Sequence, residues 1–211
     1  MNEVVVVDYG MGNLHSVEQA LRRVAPDCKI IVSDDAKVIL DAGRVIFPGQ
    51  GAMPDCMREL EARGLRDAVL DAARNKPFLG ICIGLQMLFE HSAEGDMAGL
   101  GILCGEVVRF ASNLRDAQGN KLKVPHMGWN QIHRIEQHPL WNGIAQDARF
   151  YFVHSYYVCP QDATLIQACS DYPQPFVCAV ARENLFAVQF HPEKSQTAGL
   201  ELLNNFVQWN P

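Results

Sequence analysis

A cysteine flanked by glycines two residues to either side is the first feature of the sequence that could do chemistry. Gly80-Ile81-Cys82-Ile83-Gly84 sits between an apolar run, Phe78 to Ile81, and a segment with Leu85, Leu88 and Phe89 at helical spacing. This is the pattern of a strand turning sharply into a helix with its nucleophile at the turn, cysteine standing where serine is often found. Such an elbow leaves little room for a Cβ at its flanks and lifts the sulfur to the top of the sheet beside a helix N-terminus. A thiolate there is a nucleophile for acyl carbon. Cys82 is therefore the expected nucleophile.

A thiolate needs a base, and His191-Pro192-Glu193 supplies one at the end of the last apolar run, Leu185 to Phe190. A histidine can take and return the cysteine's proton, and a carboxylate on its far nitrogen fixes tautomer and orientation. In extended chain residues i and i+2 point the same way, so His191 and Glu193 project together. Pro192 ends the ladder. The other histidines lack this pairing; His126 and His154, in aromatic surroundings, are the rival bases. Pro48-Gly49-Gln50-Gly51-Ala52 offers backbone N–H groups near the elbow. Amides of this loop, with the N–H of Ile83 just after the nucleophile, could form an oxyanion hole. Asp8-Tyr9-Gly10-Met11-Gly12-Asn13-Leu14-His15 half-matches a dinucleotide fingerprint, with Asp34 downstream, but His15 stands where the third glycine belongs. A tight strand-to-helix turn accounts for it better.

The elements that must position these groups alternate along the first half. Strands are expected at Val4–Val7, Lys29–Val32, Arg44–Phe47 and Phe78–Ile81. Helices are expected through Leu14, Val17, Leu21 and Val24, from Met53 to Leu60, and from Leu65 to Ala73. Such alternation specifies a central, mainly parallel sheet flanked by helices. After Gly99 come short β-rich runs, Leu103–Phe110, Gln131–Glu136, Phe150–Val153, Thr164–Cys169, Val177–Ala181 and Leu185–Phe190, which suit mixed or antiparallel pairing. A last helix begins near Thr197, with Leu200, Leu203, Phe206 and Val207 on one face.

Composition bounds the rest. With 211 residues, 48% of them hydrophobic, one domain spanning 1–211 can bury a full core. A net charge of −6 and no basic run give no footprint for nucleic acid. The opening Met1-Asn2-Glu3 and four valines do not read as a signal peptide. The longest apolar run, about a dozen residues, is too short to cross a bilayer. Seven cysteines with no C-x-x-C pair suit a reducing, cytoplasmic setting rather than a disulfide framework or a zinc site. No metal and no cofactor are expected.

Gly80-Ile-Cys-Ile-Gly-Leu-Gln86 together with His191-Pro-Glu193 resembles the triad, or class I, glutamine amidotransferases, whose α/β glutaminase domain carries its cysteine at a nucleophile elbow. Asp8-Tyr-Gly-Met-Gly-Asn-Leu14, Pro125-His-Met-Gly-Trp-Asn130 and Phe152-Val-His-Ser-Tyr-Tyr157 are similar to the glutaminase subunits of imidazole glycerol phosphate synthases. The resemblance runs from residue 4 to the last helix. It implies hydrolysis of L-glutamine to glutamate and ammonia through a thioester on Cys82, with His191 and Glu193 completing the triad. It also implies that the N–H groups of Gly51 and Ile83 form the oxyanion hole, and that Gln86 and the backbone of Gly51, Ser155 and Tyr156 hold the glutamine. The implied partner is a (β/α)8-barrel cyclase, joined in a heterodimer, that receives the ammonia in histidine biosynthesis. Met and Trp are enriched at interface centres, though a tryptophan packed in its own core fits composition as well; the resemblance implies Pro125, Met127 and Trp129 as the partner contacts, Trp129 as anchor. A paralogous glutaminase feeding another synthase, such as one aminating a surface sugar, would keep nearly all of these residues. A cysteine hydrolase acting on other acyl groups would share only the elbow.

Overall fold

In the computed structural model, which describes residues 3–116 and 118–211, the valines of β1 (Glu3–Val7) are wholly buried from Val4 to Val7. Met1 and Asn2 lie outside the described residues. A strand hidden on both faces reads as an unbroken apolar run, which is what a parallel sheet under two helical layers requires. Next in order come α1 (Leu14–Val24), β2 (Lys29–Ser33), α2 (Ala36–Asp41), β3 (Val45–Gly49), α3 (Met53–Ala62), α4 (Arg66–Asn75) and β4 (Phe78–Cys82). Helix α1 buries Val17, Ala20 and Leu21 on one stripe. Asp35 caps α2 by accepting from Lys37 N at 2.8 Å. α1 packs with α6 (Gln196–Gln208), and α2 with α4.

The principal sheet has 12 strands. β2, β1, β3 and β4 run parallel, and Leu185–Val188 joins β4 in parallel on its other side. Beyond it the sheet turns mixed, through Pro175–Arg182, Tyr156–Pro160 and Leu103–Arg109 in antiparallel steps. The buried apolar side chains form one connected cluster across this sheet. β4 lies in the middle, so its carboxyl end is held between two neighbours, and ligands of open α/β sheets bind at such ends.

Three expectations need correction. The helix after the cysteine, α5, is only four residues, Ile83–Gln86, and Phe89 opens a strand, Phe89–Ser92, instead of continuing it. The expected strand Gln131–Glu136 is not continuous: Gln131 ends a strand, His126–Gln131, paired antiparallel with Arg149–His154, and beyond it only His133–Arg134 forms. The last core strand stops at Val188, before Gln189 and Phe190. The Asp8–His15 segment is a tight turn, closed by Gly10 N donating to Asp8 Oδ1 at 2.9 Å. Nothing in it repeats a dinucleotide cradle.

Candidate active site

Cys82 ends β4 with φ 58° and ψ −112°, a left-handed backbone that a residue with a Cβ adopts only under strain. Register fixes the turn in place: Gly49 of β3 pairs with Cys82, and Ile81 with Val188. At Gly84 any Cβ would overlap the carbonyl oxygen of Phe47, so the chain can fold back over β3 only with glycine there. A Cβ on Gly80 would sit 3.0 Å from Ala187 Cβ. The flanking glycines thus answer to close approach on both sides. With α5 so short, little macrodipole reaches the sulfur, and its surroundings must come mainly from side chains.

His191 is placed by its main chain. Its N–H donates to Tyr151 O at 2.9 Å, and its carbonyl accepts from Ser195 Oγ at 2.6 Å. Pro192–Lys194 then makes one 3-10 turn. That turn, not an extended i, i+2 pair, brings Glu193 Oε1 to 2.9 Å from His191 Nδ1. Both side chains are buried, at 4% and 1% exposure. Because the carboxylate accepts at Nδ1, that nitrogen carries the proton and Nε2 is the working atom. Nε2 and Glu193 Oε2 have no hydrogen-bond partner. The Cys82 sulfur acts on the ring through its charge without a formed hydrogen bond to Nε2, an open geometry of the kind that tightens when substrate fills a site.

Burial alone would push the His191 imidazolium down. The Cys82 sulfur and the Glu193 carboxylate outweigh it and raise its pKa from 6.5 to about 10. At neutral pH the ring is therefore cationic. The folded value lies above the unfolded one, so this group's stabilisation is complete below about pH 6.5 and is lost as pH rises through about 10. The difference in unfolding free energy between the wild type and His191→Asn should shrink across that window. A difference that stays flat in pH-resolved denaturation would exclude the ion pair.

The rival histidines are spoken for. His154 Nδ1 donates to Tyr156 O at 2.8 Å, and His154 Nε2 meets His126 Nδ1 at 2.9 Å. Burial holds His126 at about 4 and His154 at about 3, so both are neutral at pH 7. With both nitrogens of His154 engaged, neither ring is free to relieve the cysteine of its proton.

A cavity of about 520 Å³ gathers most of the expected residues: Gly51, Cys82, Ile83, Gln86, His191 and, on the facing strand, Ser155 and Tyr156. Gly51 takes φ +95°, so the loop it closes needs a residue free to enter that region. Gln86 is 1% exposed; its Nε2 donates to Tyr156 O at 3.1 Å and to Gln189 Oε1 at 2.9 Å, leaving Oε1 unpartnered. The carbonyls of Ser155 and Tyr156 already accept, from Phe110 N and from Gln86 and His154. Of the three expected interface residues, Pro125 lines this cavity, while Met127 and Trp129 stand exposed at 62% and 38%. Sequence reasoning missed Gln189, Glu94 and Lys194. Glu94 lines the cavity from a turn and Lys194 from the 3-10 turn after His191, neither within a periodic pattern, and Gln189 was hidden at an apolar strand end. Among the described residues no group of three or more His, Cys, Asp or Glu could hold a metal ion.

This architecture has counterparts. A crystal structure of glutamine amidotransferase superposes with a TM-score of 0.71 at 18% identity, covering 97% of each chain. The structure of PurLQS from Thermotoga maritima gives 0.66 at 17%, covering 98% of this chain and 97% of that one. The family model for glutamine amidotransferase class-I matches residues 5–209. The chain belongs to the class-I glutamine amidotransferase family and has its fold. The imidazole glycerol phosphate synthase subunit HisH of Thiobacillus denitrificans is 63% identical over 210 residues, covering 99% of this chain and 92% of that protein. The HisH of Nitrosospira multiformis is 62% identical over 212 residues, covering all of both. Relatives this similar over the whole length put the chain among the HisH subunits of that family.

Proposed function

We propose that this chain is the glutaminase subunit of an imidazole glycerol phosphate synthase, hydrolysing L-glutamine and passing the ammonia to a cyclase partner. The observation that carries the chemistry is one cavity lined by both a strained Cys82 and His191, the latter held from behind by the buried Glu193 carboxylate. The Cys82 thiolate attacks the side-chain amide carbon, and the carbon–nitrogen bond breaks as His191 Nε2 gives its proton to the leaving ammonia. Water, deprotonated by the now neutral His191, then opens the γ-glutamyl thioester and releases glutamate. In both steps negative charge develops on the former carbonyl oxygen, where the N–H groups of Gly51 and Ile83 stabilise it. Gln86 holds the substrate through its free Oε1, an acceptor for an N–H of glutamine. The backbone of Ser155 and Tyr156 completes the hold on the substrate; the Tyr156 carbonyl already accepts twice, from Gln86 and His154, whereas the Ser155 carbonyl accepts once and keeps a lone pair.

A lone glutaminase would waste glutamine, which favours control by a partner. That partner is a (β/α)8-barrel cyclase of histidine biosynthesis, seated over Met127 and Trp129. The strand carrying them pairs Met127 with Val153, itself a wall of the cavity. The chain works as one domain over 1–211 without metal or cofactor, in the cytoplasm; no helix among the described residues is long and apolar enough to cross a membrane. The test is glutamate formation from glutamine with and without the barrel cyclase and its nucleotide ligand. Turnover that rises sharply only in the full mixture is expected. Turnover indifferent to this cyclase would leave the chemistry standing and transfer the partner to another synthase.

A further inference from the structure

Gln189 has no assigned role, yet it is wholly buried and its amide reaches the nucleophile. Its polarity follows from a chain of fixed acceptors. The Tyr156 carbonyl can only accept, and it already takes the His154 Nδ1 proton at 2.8 Å. Gln86 must therefore turn its nitrogen to that carbonyl, at 3.1 Å. The second proton on that nitrogen meets Gln189 at 2.9 Å, so the atom of Gln189 found there is its oxygen. The Gln189 nitrogen is left aimed at Cys82 Sγ, 3.8 Å away. The main chain of Gln189 is tied as well, its N–H donating to Cys178 O at 2.9 Å.

We propose that Gln189 is a positioning residue for the nucleophile, holding the Cys82 sulfur as a hydrogen-bond acceptor and so favouring thiolate over thiol. A thiolate is the stronger acceptor, so a donor locked toward the sulfur stabilises the charged form more than the neutral one. The lock is needed because α5 is too short to supply this bias from its own amides. His191 then supplies the counter-charge and Gln189 the direction. This inference rests on the reading of Cys82 as nucleophile.

The experiment follows alkylation of Cys82 by iodoacetamide against pH, read by mass spectrometry of its peptide so that the exposed Cys104 and Cys159 do not interfere. Gln189→Leu removes the donor, and Gln189→Glu keeps the shape and the acceptor for Gln86 while placing a carboxylate against the sulfur. The alkylation midpoint should move up by about one pH unit in Q189L and further in Q189E. At pH values below the alkylation midpoint, kcat for glutamate formation should fall about tenfold for each unit of that shift, with KM nearly unchanged. If Q189L fails to fold, Q189E, similar in volume and still anchored to Gln86, decides alone. Folded variants with an unmoved midpoint would overturn the proposal. Glutamate formation persisting in Cys82→Ala would instead overturn the underlying assignment of the nucleophile.

Discussion

Cys82→Ala should lose glutamine-dependent glutamate formation by about 10⁴ to 10⁶ in kcat, as nucleophile knockouts do in hydrolases that work as a unit. Partner binding should be retained, because the exposed Met127 and Trp129 belong to a different, two-stranded sheet. The substitution deletes one buried atom at a site already 97% covered, since Cys82 is 3% exposed, so the thermal midpoint should move little. The backbone strain at φ 58° survives in alanine. It is relieved in Cys82→Gly, which should melt above Cys82→Ala by the equivalent of about 1 kcal/mol. An inactive variant that is also more stable than its alanine counterpart would mean that the elbow stores strain to present the sulfur. Residual turnover within about a hundredfold of wild type would mean that another group is the nucleophile, since that exceeds what binding and an oxyanion hole leave behind.

The elbow was legible because steric demand writes itself into sequence. Gly84 is forced by the Phe47 carbonyl, where no Cβ fits, and Gly80 is favoured by its close approach to Ala187. The parallel half of the sheet was legible for a similar reason: strands buried on both faces show as apolar runs, and amphipathic helices separate them. Beyond Cys82 the same signals fail. Leu85, Leu88 and Phe89 satisfy helical spacing, but they lie in one helical turn, a connection and a strand, because a short wholly buried run has no polar face to reveal its period. The strand His126–Gln131 contains Gly128 at φ +136° and pairs only with a distant segment, so nothing local marked it. Gln189 was invisible for the opposite reason. A glutamine at a strand end resembles an exposed polar residue, and only the fold reveals it buried against two partners.

Glu193→Gln should lower kcat by about 10⁴ while leaving the protein folded, though less stable. The carboxylate has one hydrogen bond, Oε1 to His191 Nδ1, and its Oε2 is buried with no partner, so it is poorly compensated as a structural charge. Neutralising it removes a desolvation cost but also leaves the buried His191 imidazolium without its carboxylate, and breaking a buried pair from one side costs stability, so the thermal midpoint should fall. Its effect on His191 is different. A glutamine can turn its NH₂ toward Nδ1, which then becomes the acceptor and drives the proton to Nε2. The nitrogen facing the cysteine is left without a lone pair, and no group in the cavity replaces it, because His154 has both nitrogens engaged. The loss of the carboxylate also removes part of what lifts His191 to about 10. The limb of the pH–rate profile that reports His191 should therefore move to lower pH in the variant. A fall in kcat smaller than about tenfold, with that limb unmoved, would reduce Glu193 to a packing residue; a large fall with the limb moved to lower pH would fix its work on the histidine.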